Sequence, residues 1–313
     1  MDDFKELPLL HFSWDTDNTE NLSKPWNTSR FKTGGRSGRF RLPAWNTATE
    51  AIDTEQKTEV KIQTETRIAI IYTSMMAATM YASRYVYGYS YDNPEIVRVL
   101  LPAQTAMLVY AIHAYMKNRK KTEGQQCRLH PGIIIYGILI LAAAILHIGE
   151  GAYREYGDMI FLVLAANTLV GISEELVYRG TIAMLAIARK GRIYAAVSSS
   201  VLFSLLHAVN LIGGLQPSAM LLQLANTFIY GILASTSMMI AGTIIPFIIF
   251  HSIWDMVMSS PVFVSRHLLL ISIVMVSEVF IASLQLISIV KDERRNRKES
   301  LDIPSSQPGE SSL

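Results

Sequence analysis

The sequence predicts an all-α membrane protein: a polytopic helical bundle of about eight transmembrane helices behind a polar N-terminal extension. Three observations predict it. Half of the 313 residues are hydrophobic and only 17% are charged, and the apolar residues fall in long blocks rather than in the short alternating runs of a soluble domain. The blocks recur near the roughly 20 residues that a helix needs to cross a bilayer. The basic residues cluster after even-numbered blocks, as the positive-inside rule requires of cytosolic loops.

In chain order, residues 1–66 are rich in Thr, Asn, Asp and Glu and show no sustained periodicity, so a mostly disordered cytosolic extension is expected. Its basic stretch, 30–43, reads as part of that solvated tail. A transmembrane bundle is expected over 67–290, with spans at 68–87, 96–116, 131–149, 159–187, 193–212, 218–240, 243–260 and 267–290. The sixth and seventh are separated only by "AGT" (241–243), which predicts a tight hairpin. Pro246, five residues before His251, is a candidate kink. Tyr81, Tyr85, Tyr87, Tyr89 and Tyr91 predict an aromatic belt at the outer end of the first span. "KNRKK" (117–121), "ARKGR" (188–192) and "KDERRNRK" (291–298) then fall on one side, which makes both termini cytosolic and 291–313 a cytosolic tail.

Composition also narrows the function. A net charge of only +2 gives no nucleic-acid footprint. The single cysteine, Cys127, allows no internal disulfide and no metal-ligand pair. The acidic start lacks the basic region and apolar core of a signal peptide, so insertion is expected to begin at the first membrane helix. No internal repeat is visible, which counts against an inverted-repeat transporter. The methionines are scattered along the spans and read as packing.

The informative residues are the ionisable ones at membrane depth, each costing about 2.5–3.5 kcal/mol if unpaired. The fourth span contains "GISEELVYRG" (171–180), with Glu174 and Glu175 adjacent. Residues i and i+4 share a helix face, whereas neighbours point about 100° apart. Glu175 therefore faces Arg179 and can form an ion pair, while Glu174 shares its face with Tyr178 and must seek a partner on another helix. Phe203 and His207 share a face of the fifth span, and His251 and Asp255 a face of the seventh. A carboxylate with two histidines can activate water, either directly as a general base or through a metal, and a histidine or Asp across the cavity can hold the oxyanion of a carbonyl under attack. His147 and Glu150 are expected at the interface, and Glu278 lies mid-span with no evident partner.

The series "EELVYR" (174–179), "FSLLH" (203–207) and "HSIWD" (251–255), in this order on three spans, resembles the CAAX-protease and bacteriocin-processing (CPBP, or Abi) family of intramembrane proteases. That family's signature is EExxxR, FxxxH and HxxxN or HxxxD. The resemblance covers roughly 159–260. It implies a glutamate-dependent endopeptidase acting on membrane-associated or lipidated proteins or peptides. By motif position Glu174 would activate water, with His207 its partner at the water or metal. His251 and Asp255 would be the oxyanion-side or second-ligand pair, and Glu175 and Arg179 would hold the site together. Asp255 stands where prenyl-protein proteases of the family have Asn, and its charge would favour a cation. Glu174, His207 and His251 would suit a zinc ion. The expected partners are the bilayer and a membrane protein or peptide substrate, in the plasma membrane if the host is prokaryotic. Oligomeric state is not legible.

Two other readings stay open at this point: a non-proteolytic binding or immunity protein on the same fold, and a proton-coupled transporter using the Glu/His/Asp set as a relay. The protease reading makes a geometric demand. Glu174, His207 and His251 should line one cavity, with neighbours about 3–5 Å apart or bridged by water.

Overall fold

The computed structural model describes residues 63–118 and 130–302. The expected N-terminal extension, Cys127 and most of the "KNRKK" cluster lie outside the described residues. Among the described residues all regular structure is helical: α1 Thr64–Tyr81, α2 Val97–Asn118, α3 Pro131–Gly149, α4 Ile160–Val177, α5 Met184–Lys190, α6 Arg192–His207, α7 Pro217–Ala241, α8 Ile245–Met258, α9 Pro261–Arg266 and α10 Leu268–Asp302. A π-helical turn, Tyr178–Ala183, joins α4 to α5 without breaking the rod. Such turns concentrate at functional sites because they offset the side chains of one helix turn.

Each of the eight expected segments is a helix, but six helices are long and apolar enough to cross a membrane. The first and seventh segments fall short of that measure. The first segment opens with Glu65 and Arg67 and is diluted by Thr, Ser and Tyr. The seventh is only 14 residues long, about 21 Å at 1.5 Å per residue, against a hydrocarbon core of about 30 Å.

Neighbour packing closes a ring. Helix α1 lies against α2, α2 against α4, α4 against α8, α8 against α3, α3 against α10, α10 against α7, α7 against α6, and α6 against α1. The π turn sits inside it, touching α1, α2, α6 and α7, with all of its residues buried. Outward positions such as Ile138, Phe161, Leu221 and Leu269 are exposed aliphatic or aromatic side chains, suited to lipid. The polar side chains instead turn inward, as they must where no water competes.

The expected hairpin at 241–243 is half right. Gly242 adopts φ +70° and ends α7, so the turn is tight, yet α8 packs on α4 and α3 rather than back along α7. Pro246 is not a kink. It occupies the first turn of α8, where the missing N–H leaves no helical bond unmade. The expected tail from residue 291 begins as helix, because α10 runs on to Asp302.

Contacts at the helix ends group the segments into two ends of the bundle. Arg189 lies 3.3 Å from Glu65 and donates to the Gln63 amide oxygen at 2.6 Å, and the Arg192 backbone N–H donates to Glu293 at 2.8 Å. The start of α1, the α5–α6 junction and the basic part of α10 therefore share one end of the bundle. At the other end the Tyr91 N–H donates to the Gly213 carbonyl (2.8 Å), and Ser260 donates to Glu155 (2.7 Å). Tyr81, Tyr85 and Tyr87 are exposed there, as a belt requires. Tyr91 leaves the belt and turns inward.

Candidate active site

Two glycines set how closely the site helices approach. A Cβ on Gly171 would lie 2.2 Å from Ser252 Oγ and 2.9 Å from its backbone nitrogen, so a side chain there would push α8 away from α4. A Cβ on Gly231 would meet Ser200 at under 3 Å, so α7 can lie close to α6 only without one. Close approach through small residues is how membrane helices gain contact, since lipid supplies no hydrophobic drive between them. Here it brings His251 and Tyr230 within reach of the glutamates of α4.

Glu175 is the hub. Its Oε1 lies 3.3 Å from Arg179 Nη1 and 3.0 Å from His251 Nδ1, and it accepts from the Tyr230 hydroxyl at 3.2 Å. The predicted i,i+4 pair with Arg179 is present, with both side chains fully buried. The guanidinium also stacks 4.1 Å from the Phe203 ring centroid and 5.2 Å from that of Tyr230. Cation–π contacts of this kind reach about 2 kcal/mol when desolvated.

Glu174 is the opposite case. It finds no partner on its own helix, as the face argument requires, and looks across to α8. Its Oε2 is buried, makes no hydrogen bond, and lies 3.7 Å from His251 Nε2. The same nitrogen is 3.4 Å from Asp255 Oδ2. One imidazole thus bridges three carboxyl groups, with Nδ1 anchored on Glu175 and Nε2 between Glu174 and Asp255. A lone pair on Nε2 facing two ionised carboxylates would be repelled, so this geometry requires a proton shared among the three groups.

His207 stands apart. It is the last residue of α6, and its Nδ1 lies 3.0 Å from the Phe203 carbonyl. A carbonyl can only accept, so Nδ1 carries the hydrogen, and in the neutral ring Nε2 is a free acceptor. Among the described residues no hydrogen bond or ion pair joins His207 to Glu174 or His251. The Phe203 ring packs edge-on against both histidines, with centroids 4.9 Å from His207 and 5.8 Å from His251. Of the expected neighbours, Glu174 and His251 are in close contact and Asp255 joins them, while His207 contacts His251 through Phe203.

The three side chains suited to zinc are not drawn together as a ligand set. Among the described residues no group of three His, Cys, Asp or Glu side chains is arranged to hold a metal ion.

Other expectations need correction. His147, in the last turn of α3, is packed inside the protein, edge-on to Phe263 at 5.1 Å, with Nε2 unpartnered. Glu150 pairs with His267 at 2.9 Å. Glu278 has a partner that sequence reasoning did not supply: the Tyr136 hydroxyl donates to its Oε1 at 2.7 Å. Tyr230 was missed altogether. Its signal was present, since a mid-span tyrosine needs a partner for its hydroxyl.

The polar site lies within the part of the chain that a family model describes. Residues 156–257 match Rce1-like, the type II CAAX prenyl endopeptidases. No curated protein and no solved structure gives a significant match. The matched segment, about a third of the chain, runs from the turn before α4 to the end of α8 and contains all three motifs, so over this stretch the chain is similar to that family.

Proposed function

We propose that the chain is an intramembrane endopeptidase that cleaves membrane-associated or lipidated proteins or peptides, with Glu174 as the general base. The observation that supports this most directly is the contrast inside one motif. Glu175 gathers Arg179, His251 and Tyr230 on Oε1, its Oε2 being buried without a hydrogen bond, while Glu174 makes no hydrogen bond with either oxygen among the described residues and lies 3.7 Å from His251 Nε2. A buried acid left without a hydrogen bond costs stability, and a role in chemistry accounts for keeping it.

In this reading Glu174 takes a proton from a water molecule, and the resulting hydroxide attacks the peptide carbonyl carbon. The tetrahedral intermediate collapses as the C–N bond breaks, and the proton held on Glu174 passes to the leaving amine. His207 Nε2, free to accept, orients the water. His251 holds Glu174 and Asp255 in register, its own orientation fixed by Glu175. The family match favours a prenylated C-terminal Cys-aliphatic-aliphatic-X box as the substrate class to try first.

The test maps protein termini by mass spectrometry in cells expressing the wild type or Glu174→Gln at matched level. Purified protein is assayed in parallel on a farnesylated, internally quenched peptide ending in such a box. Termini or cleavage that depend on Glu174 are the expected result. Identical termini, with the wild-type phenotype retained in the variant, would overturn the protease reading in favour of a binding role.

A further inference from the structure

Glu174 makes no hydrogen bond of its own among the described residues, so its placement must come from its backbone and from what packs around it. Tyr72 of α1, outside the matched segment, reaches both. Its hydroxyl lies 2.8 Å from Ser173 Oγ, and Ser173 in turn donates to the Val170 carbonyl at 3.2 Å. A hydroxyl has one hydrogen to give, so Tyr72 is the donor to Ser173. The α-helical ladder takes the Glu174 backbone N–H to that same Val170 carbonyl. The relay from Tyr72 thus ends on the peptide group that fixes the Glu174 backbone.

The ring of Tyr72 makes the second contact, edge-on to Tyr178 at 6.1 Å. At about 100° per residue, Ser173 and Tyr178 stand about 140° apart around the helix, and Glu174 projects between them. Tyr72 touches both edges of that sector. From Tyr178 the edge contacts continue to Phe203 at 5.2 Å and from Phe203 to His251 at 5.8 Å, the histidine that meets Glu174. Tyr72, Ser173, Tyr178, Phe203 and His251 therefore form a closed circuit around Glu174, all of them buried.

We infer, on the protease reading above, that Tyr72 is a positioning residue for Glu174, holding through Ser173 the helix turn that carries the general base. Glu175 needs no such help, since three side chains converge on it. Tyr72→Phe keeps the ring and removes the relay. A misplacement of 1 Å can cost about 10²-fold in rate. A smaller displacement is expected here, with kcat lowered about tenfold, KM changed less than about threefold and the thermal midpoint in detergent little changed. Ser173→Ala should act in the same way, and the double variant should be no slower than Ser173→Ala alone, because both substitutions cut one relay. Tyr136→Phe, which removes an equally buried hydroxyl at Glu278, should leave kcat unchanged.

The assay uses the farnesylated quenched peptide and any substrate found by the termini comparison. Wild-type kcat in Tyr72→Phe, with Glu174→Gln inactive, overturns the role of Tyr72 and leaves the protease reading standing. A rise in KM alone also overturns it, because the loss would then be one of uniform binding. A fall in kcat that tracks a lowered thermal midpoint, or one matched by Tyr136→Phe, overturns it in favour of a structural role. Additive losses in the double variant overturn the relay, since the two hydroxyls would then act separately. Activity unaffected by Glu174→Gln removes the protease reading and the role of Tyr72 with it.

Discussion

Two regions of this bundle bury a glutamate in mid-membrane, and they solve the problem differently. At Glu278 the solution is one uncharged donor, the Tyr136 hydroxyl at 2.7 Å. At the α4–α8 contact it is an assembly: an arginine, a tyrosine and a histidine converge on Glu175, and the same histidine reaches on to Glu174 and Asp255. The first arrangement meets one oxygen of the acid with the least machinery and leaves Oε2 without a hydrogen bond. The second spends a cation on one acid and leaves its neighbour without a hydrogen bond. A membrane helix tolerates a carboxyl group once it is paired, so the comparison sets an acid met by one neutral donor against a cluster in which one acid gathers the donors and its neighbour is met only by a histidine at 3.7 Å.

That contrast can be broken most directly at the adjacent glutamates. Glu174→Gln should lower kcat/KM by about 10³-fold, within the range for a general base, while the thermal midpoint moves little, because no hydrogen bond to Oε2 is lost. Glu175→Gln should lower both activity and stability. It leaves Arg179 buried without its counter-charge, a loss of about 3–5 kcal/mol, measurable by denaturant unfolding in mild detergent. Adding Arg179→Met to Glu175→Gln should recover part of the stability and none of the activity, since removing both charges costs less than removing one. Equal behaviour of the two single variants would erase the distinction on which the site assignment stands.

Glu278→Gln supplies the comparison's other arm and a smaller effect. Glutamine still offers an oxygen to Tyr136, so activity should stay within about twofold and stability within about 1 kcal/mol. A loss of activity comparable to that of Glu174→Gln would show that the second region belongs to the site.

The last prediction is one of sidedness rather than magnitude. In a Cys127→Ser background, cysteines placed at exposed Tyr87 and Lys190 should label differently with an impermeant maleimide on intact cells. With both termini cytosolic, Tyr87→Cys labels and Lys190→Cys does not. The partly exposed His207 and Asp255 lie toward the Tyr87 end, where α8 runs into the Ser260 contacts. Under that orientation the substrate must offer its bond from within the bilayer or from the far side. The reverse labelling would turn the mouth of the site to the cytosol and make cytosolic prenylated boxes directly reachable.

The sequence by itself determined the helical class, the register of each motif on its helix, and the division of labour between Glu174 and Glu175. These follow from apolar block length and from the 3.6-residue repeat, which act within one helix and need no partner. Only the tertiary structure decided which helices meet. The close approach at Gly171 placed His251 between the three carboxyl groups, and α7 brought Tyr230 to Glu175 from 55 residues away. Phe203 came to pack against both His207 and His251, and the Tyr91 N–H tied the 87–93 segment to the Gly213 carbonyl beyond α6. None of these is periodic in the chain. Each depends on close packing between elements distant in sequence, where a missing Cβ or a single hydrogen bond decides which side chains share a cavity.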